Sequence, residues 1–255
     1  DRVCEDILSA SETRMRELIK KIPDGVYSFE DQLDDYGPGT EPICVAVDIT
    51  VEESSIEVDF SRSSDQVPAA LNSYINYTRA YTTFAVKVFC DALLPQNEGG
   101  IRPIKTTARE GSFFNPTFPA ASGGRATVQI RIFDAINGAL SQALPHRAMG
   151  AFSHWNNPNI GGTDPRTGKS FVMYDLGFGG YGGRADSDGP EALAPVVNCR
   201  NIPIEVHEHN NPVRIKKLEL ITDSGGAGQY RGGCGLRKDI ELLADQATIT
   251  LLGDR

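Results

Sequence analysis

Hydrophobic positions follow two different periods along this chain, and the places where the period changes divide it. From residue 3 to 22, Val3, Ile7, Leu8, Met15, Leu18, Ile19 and Ile22 recur at helical spacing with charges between them, and Pro23-Asp-Gly25 ends the run. Cys44 to Val51 and Ser55 to Phe60 read as strands; the second alternates cleanly, and Glu52 to Ser54 between them predicts a hairpin. Helical spacing returns over about Tyr77 to Cys90, where Tyr81, Phe84, Ala85, Val88 and Phe89 share one side. It returns again over about Thr127 to Leu144, with Val128, Ile132, Ile136, Ala139, Leu140 and Ala143 on the apolar face. The stretch from Pro95 to Pro119 is proline-rich and irregular. After Pro145 the chain is rich in glycine and loops, with short strands predicted near 171–176, 202–208, 213–222, 237–243 and 247–252. Helices and strands do not alternate in a βαβ rhythm. The expected class is therefore α+β: a layered mixed domain with several short antiparallel strands, about three helices and glycine-rich loops. The shift at Pro145 predicts a helix-rich lobe over 1–145 and a strand- and loop-rich lobe over 146–255.

Composition narrows the partners. The chain has 255 residues, 40% of them hydrophobic, and a net charge of −9. At this length about 70–75% of the unfolded surface can be buried. The acidic balance argues against nucleic acid and against an anionic membrane surface, and no run reaches the roughly 18 apolar residues that a membrane-spanning helix needs. Five cysteines (Cys4, Cys44, Cys90, Cys199, Cys234) are scattered, with no C-x-x-C pair, so neither a zinc site nor a disulfide framework is indicated. That usage predicts a reducing, cytoplasmic setting. Asp1 is no initiator and Arg255 follows a strand-like run directly, which predicts a portion of a longer polypeptide.

Three motifs suggest chemistry. Gly162 to Ser170 has the look of a phosphate-binding loop, but the position five before Gly168 is Thr163 and a strand follows instead of a helix. Asp164-Pro-Arg-Thr-Gly168 reads as a turn. Gly177-Phe-Gly179-Gly180-Tyr-Gly182 fits G-x-G-x-x-G, yet Arg184 to Pro190 after it cannot form the helix that dinucleotide binding requires. It reads as a loop that lets backbone approach a substrate or a partner subunit. On a strand over 202–208, Glu205, His207 and His209 would share one face. They could then hold a divalent metal, although a solvated face opposite buried Ile204 and Val206 is the more ordinary reading, and no metal ligand is assigned. Finally, Asp223 to Gly235 is dense in glycine, which signals positive φ or close backbone approach, and places Arg231 where it could meet a carboxylate or phosphate.

Taken in order, several segments resemble the hydantoinase B family, which includes the second half of 5-oxoprolinase and a large subunit of the acetone and acetophenone carboxylases. They are Ser11 to Arg16, Ile22 to Tyr27, Val58 to Ser61, Pro95 to Gly99 with Arg102 to Ile104, Gly111 to Pro116, Pro119 to Ala121, Asn201 to Glu205 and Asp223 to Gly235. The resemblance implies a hetero-oligomer with a hydantoinase A-type partner that binds ATP and Mg and phosphorylates a small-molecule substrate. The B-type part then opens a cyclic amide of the hydantoin or 5-oxoproline kind. Carboxylation of a ketone, or a non-catalytic docking lobe, are the alternatives. It also implies a divalent metal bound by an N-terminal half that this sequence lacks. Arg62 stands where the family usually has glycine, and His207 and His209 are not typical of it.

Within the matched segments and the glycine loops, Glu205, Glu208 and Arg231 are the catalytic candidates, the glutamates as base or as partners of Arg231. Asn72, Asn97 and Asn115 could hydrogen-bond a polar ring or phosphate, and Arg102 and Arg125 could hold anionic groups. Gly179, Gly180, Gly225 and Gly226 could bring backbone amides to a developing oxyanion.

Overall fold

The computed structural model describes residues 2–154, 156–194, 196–197 and 199–253. They fall into two compact units, Asp1–Met149 and Gly150–Arg255. The architecture is α+β.

The first unit begins with α1 (Arg2–Ile19), whose inward residues Met15, Leu18 and Ile19 are those the helical spacing marks. Four strands follow in the spatial order β1 (Gly25–Leu33), β2 (Ile43–Glu52), β3 (Ser55–Asp59) and β4 (Ile104–Thr107). The first three are antiparallel, and β4 lies parallel to β3. The predicted hairpin joins β2 to β3 through Glu53 and Ser54; Glu53 takes a left-handed φ of 51° and its N–H is held by Asp24 Oδ1 at 2.9 Å. Neither β1 nor β4 is anticipated from hydrophobic pattern, because Ser28, Glu30, Asp31 and Gln32 in the one, and Lys105, Thr106 and Thr107 in the other, break the apolar rhythm.

Helix α2 (Ile75–Asp91), short α3 (Glu98–Ile101) and α4 (Val128–Ala143) complete this unit. Helix α4 packs on β1, β2 and α2 and is buried nearly all round, carrying Ile130, Ile132, Ile136 and Leu140 at 0% exposure. Gly138 shows why: a Cβ there would lie 2.8 Å from the Phe29 ring, so only glycine lets the helix sit this close to the sheet. The same burial takes in polar Gln129, Arg131, Asp134 and Asn137, and Arg131 is paired to Asp31 of β1 at 2.9 Å.

In the second unit β5 (Asn156–Thr163) lies between β6 (Ser170–Tyr174) and β9 (Ala247–Gly253), all antiparallel. A separate two-stranded ladder pairs β7 (Val213–Leu220) with β8 (Leu236–Leu242). Ile160, Phe171, Met173 and Val213 form the unit's core, with Ile240 and Leu242 packed on it. The phosphate-loop lookalike is the β5–β6 turn. Asp164 closes it through Gly168 N–H at 2.8 Å and grips the Arg166 guanidinium, and Gly168 takes φ 70°.

One predicted strand is a helix. Residues 202–208 belong instead to α5 (Ile204–Asn210), which starts at Pro203 with φ −55° and carries Glu205 in its first turn. Proline fixes a helical φ, and an acidic residue in the first turn meets the helix's positive end. In a helix, residues two apart point about 200° apart, so Glu205, His207 and His209 do not share a face. The expected burial is reversed too: Val206 is 44% exposed while His207 is buried at 3%. Among the described residues no group of three His, Cys, Asp or Glu side chains could hold a metal ion.

Candidate functional site

The two glycine-rich runs meet. Residues 150–153 and 180–183, with Ser224, Gly226, Ala227, Tyr230, Gly232, Gly233 and Gly235, line one groove of about 510 Å³ in the second unit. Backbone hydrogen bonds bind its walls: Gly150 N–H to Gly183 O (2.9 Å), Ser153 N–H to Gly180 O (3.1 Å), Gly233 N–H to Tyr181 O (2.8 Å) and Gly232 N–H to Gly226 O (2.8 Å). The segments approach so closely that a Cβ on Gly180 would lie 2.0 Å from Gly233 O, and one on Gly182 would lie 2.1 Å from Gly150 O. Glycine density in these loops is therefore a packing requirement between chain segments distant in sequence.

The groove is rich in donors. Gly182, Gly183, Gly226 and Ala227 line it, and their backbone N–H groups make no hydrogen bond among the described residues. Phe152 and Tyr181 pack edge to face at 4.8 Å and supply an aromatic wall. Ser153 Oγ donates to Gly180 O at 3.1 Å; Ser224 Oγ donates to Ile221 O and accepts from Gly235 N–H, both at 2.7 Å. Both hydroxyls thus serve the backbone and neither is set against a base. This arrangement can hold an oxyanion or a carbonyl oxygen; it offers no activated side-chain nucleophile.

Arg231 stands on the same loop, but its partners are not the predicted ones. Its Nη2 donates to Glu191 Oε1 at 2.9 Å, Nη1 reaches Cys234 Sγ at 3.3 Å, and its backbone N–H donates to Asp188 Oδ1 at 2.9 Å. The hydrogen bonds to Cys234 and Glu191 raise its pKa further, so it stays cationic. Glu208 is not its partner. Glu208 lies on α5, where its Oε1 accepts from Ile215 N–H at 2.8 Å, and Glu205 is exposed on the same helix. Neither glutamate is therefore the partner of Arg231 among the described residues; Glu191 takes that place.

The remaining candidates are dispersed. Gly180 and Gly226 line the groove, whereas Gly179 and Gly225 are packing positions beside it, with a Cβ 1.9 Å from Ser153 Oγ and 2.3 Å from Gly232 O respectively. Asn72 is buried and spends its amide on Val67, Ala69 and Ala121. Asn97 caps α3 through Gly100 N–H and donates to Ser11 Oγ; Asn115 donates to Ala108 O. Arg102 pairs with Glu12 at 3.2 Å, and the Glu12 carboxyl is held below its usual range by the Arg16 and Arg102 guanidiniums. Arg125 lines a separate cavity in the first unit.

His207 has a structural setting instead of a metal. Its Nε2 lies 3.1 Å from Asp175 Oδ1, and the other oxygen of Asp175 takes the Lys238 ammonium. This buried triad ties α5 to the end of β6 and to β8. Sequence reading misses Glu191, Asp188, Ser153, Tyr181 and the triad alike. Only the position of Tyr181 between Gly180 and Gly182 hints at a groove.

The family model of hydantoinase B/oxoprolinase matches residues 1–255. The chain belongs to the hydantoinase B/oxoprolinase family. It is 33% identical over 94% of its length to a protein of Pseudomonas sp. (strain NS671) provisionally named as the B component of a D-/L-hydantoinase, and covers 42% of that protein. The crystal structure of the ATP-dependent caprolactamase from Pseudomonas jessenii superposes with a TM-score of 0.84 at 29% identity, covering 94% of this chain and 43% of that one. The nucleotide-free acetone carboxylase structure shares the fold, with a TM-score of 0.82 at 18% identity, over 96% of this chain and 35% of that one. The chain spans less than half the length of each of these relatives.

Proposed function

We propose that this chain is the hydantoinase B-type part of an ATP-dependent amidohydrolase that opens a cyclic amide of the hydantoin, 5-oxoproline or lactam kind. The observation that carries the reading is the likeness to the caprolactamase, which extends over 94% of this chain at 29% identity. The carboxylase shares only the fold at 18% identity, so cyclic amide hydrolysis is the better-supported chemistry.

An unstrained amide resists water. In the proposed reaction a hydantoinase A-type partner, holding ATP and Mg, moves the terminal phosphoryl group to the amide oxygen. Water then adds to that carbon, the ring C–N bond breaks as the nitrogen takes up a proton and leaves as a free amine, and a second water hydrolyses the resulting acyl phosphate to a carboxylate and inorganic phosphate. The glycine groove contributes to the addition step. Its unpaired amides would hold the oxygen on which negative charge develops, at no reorganisation cost. Arg231, kept cationic and steered by Glu191, would attract the phosphorylated substrate at the rim. The described residues offer no donor set for a metal, so no step on this chain is drawn through one. The free thiols fit a reducing compartment, and we assign the enzyme to the cytoplasm.

The test uses the full-length chain co-purified with its partner. Phosphate release is measured with ATP and hydantoin, 5-oxoproline or caprolactam, and separately with a ketone and bicarbonate. Release stoichiometric with ring opening establishes the hydrolase. Release only with ketone and bicarbonate overturns it, as does the absence of release with every one of these substrates.

A further inference from the structure

Residues 188–194 are bonded to both glycine runs where those runs meet. Tyr181 N–H donates to Pro190 O and the Tyr181 hydroxyl donates to Ala194 O, both at 2.9 Å. Gly233 N–H donates in turn to Tyr181 O at 2.8 Å, so Tyr181 is tied to the segment on one side and to the glycine loop on the other. The approach is close. A Cβ on Gly189 would lie 2.1 Å from Tyr181 O, and one on Gly233 would lie 2.1 Å from Pro190 O.

Arg231 is the second tie. Its backbone N–H donates to Asp188 Oδ1 at 2.9 Å, and its carbonyl accepts from Gly189 N–H at 2.8 Å. Its Nη2 donates to Glu191 Oε1 at 2.9 Å, and its Nε lies 3.7 Å from Asp188 Oδ2. The segment thus holds Arg231 by main chain and side chain alike. Just beyond Glu191 the chain turns through Ala192 at φ 45°. A left-handed φ is uncommon for a residue with a Cβ and persists where the surroundings over-determine it. Here Glu191 before the turn and Ala194 after it are both bonded to the glycine runs.

Stability does not account for the two acids. The side chains of Arg231, Glu191 and Asp188 are 51%, 30% and 56% exposed, and ion pairs this exposed add little to stability. None of the three lines the groove, whereas Tyr230, Gly232 and Gly233 beside Arg231 do. What the carboxylates supply is geometric: one fixed orientation of a long side chain, and with it the seat of the loop that forms the groove wall.

We propose that Asp188 and Glu191 are positioning residues, which act through Arg231 to seat residues 224–235 against 180–183 and hold the groove in its reactive geometry. The proposal rests on the ring-opening reading and extends it to two residues outside the groove.

The full-length chain co-purified with its partner is compared as wild type, D188N, E191Q and E191D, on the ring that wild type opens. D188N and E191Q keep the side-chain shape and remove the charge. Both should lower kcat for ring opening about tenfold with no change in the urea midpoint. Phosphate released per ring opened should rise, because water then takes the phosphoryl group from a misplaced substrate and returns the intact amide. E191D, which keeps the charge, should recover most of the coupling. Hydrogen exchange of the peptide carrying Gly232 and Gly233 needs no turnover, and should quicken about threefold in D188N and E191Q. Unchanged exchange in both variants overturns the proposal, as does faster exchange with wild-type ring opening and coupling. A lower urea midpoint with faster exchange throughout the chain also overturns it, since that marks a merely structural role. If wild type opens no ring, the ring-opening reading fails, while the exchange still decides whether the two acids seat the loop.

Discussion

Replacing Gly180 by alanine tests the central feature of the groove, the contact between two glycine-rich loops. The added Cβ would lie 2.0 Å from Gly233 O, against an ordinary carbon–oxygen contact of about 3.3 Å. The Cβ is fixed to the backbone and Gly233 O is backbone, so no side chain can swing aside and the segments must part by about 1 Å. Gly233 N–H to Tyr181 O and Ser153 N–H to Gly180 O sit at that junction. Overpacking costs about 1–3 kcal/mol, and two weakened hydrogen bonds add about 1 kcal/mol each. The expected loss is about 3–5 kcal/mol, read by chemical denaturation of the full-length chain. A displacement near 1 Å in a binding site lowers turnover by about a hundredfold, read as coupled phosphate release. Gly226→Ala is the comparison, because a Cβ there meets nothing within 4 Å and its backbone is not left-handed. Its stability should match wild type to within about 0.5 kcal/mol. If Gly180→Ala is as stable as Gly226→Ala and as active as wild type, the loops do not touch as described and the groove argument fails.

Other outcomes follow from single contacts. Asp175→Asn leaves the Lys238 ammonium and His207 buried without their carboxylate, and should destabilise the chain by about 3–5 kcal/mol in urea; a loss under 1 kcal/mol would show the triad to be immaterial. The Asp48 carboxyl is held below its ordinary value chiefly by the Arg62 guanidinium, so its contribution is present above the usual aspartate pKa and is lost as pH falls below it. Arg62→Gly should therefore lower stability at neutral pH while leaving the most acid points unmoved, which flattens the acid limb, and an unchanged acid limb would contradict the pairing. Burial pushes the Cys90 thiol up to about 11, so maleimide at pH 7.5 should label exposed Cys4 and Cys199 while Cys90 reacts only after denaturation, as peptide mapping would show. Labelling of native Cys90 at the rate of Cys4 would refute its burial.

What is legible in the sequence follows from the range of the forces involved. Helices α1, α2 and α4 can be read because a buried stripe recurs every three to four residues within one element. The β2–β3 hairpin can be read because turn and strands are neighbours in the chain. Strand β1 is hidden because Glu30 and Asp31 interrupt it, and their roles depend on residues far away: Glu30 pairs with Arg62, and Asp31 with Arg131 of α4. The helix at Ile204–Asn210 is misread because seven residues carry too short a pattern to separate periods of 2.0 and 3.6. Proline at its start and the pull of Asp175 on His207 settle the matter, and the second of these is again a long-range contact.

The glycine runs show the same limit in a form that matters for function. Their density announces close approach but cannot say to what. Gly180 is glycine because of Gly233, Gly182 because of Gly150, and Gly225 because of Gly232. Each of these glycines thus answers to another backbone segment of its own unit, and a ligand is not needed to explain these three positions. Gly226 is different. It lines the groove, no atom within 4 Å forbids a side chain there, and its N–H is unspent. Packing does not account for that glycine, so a requirement at this position points to whatever fills the groove. Gly226→Ala should then leave stability intact while raising KM for the ring substrate, whereas an unchanged KM would assign the groove's chemistry to its other amides.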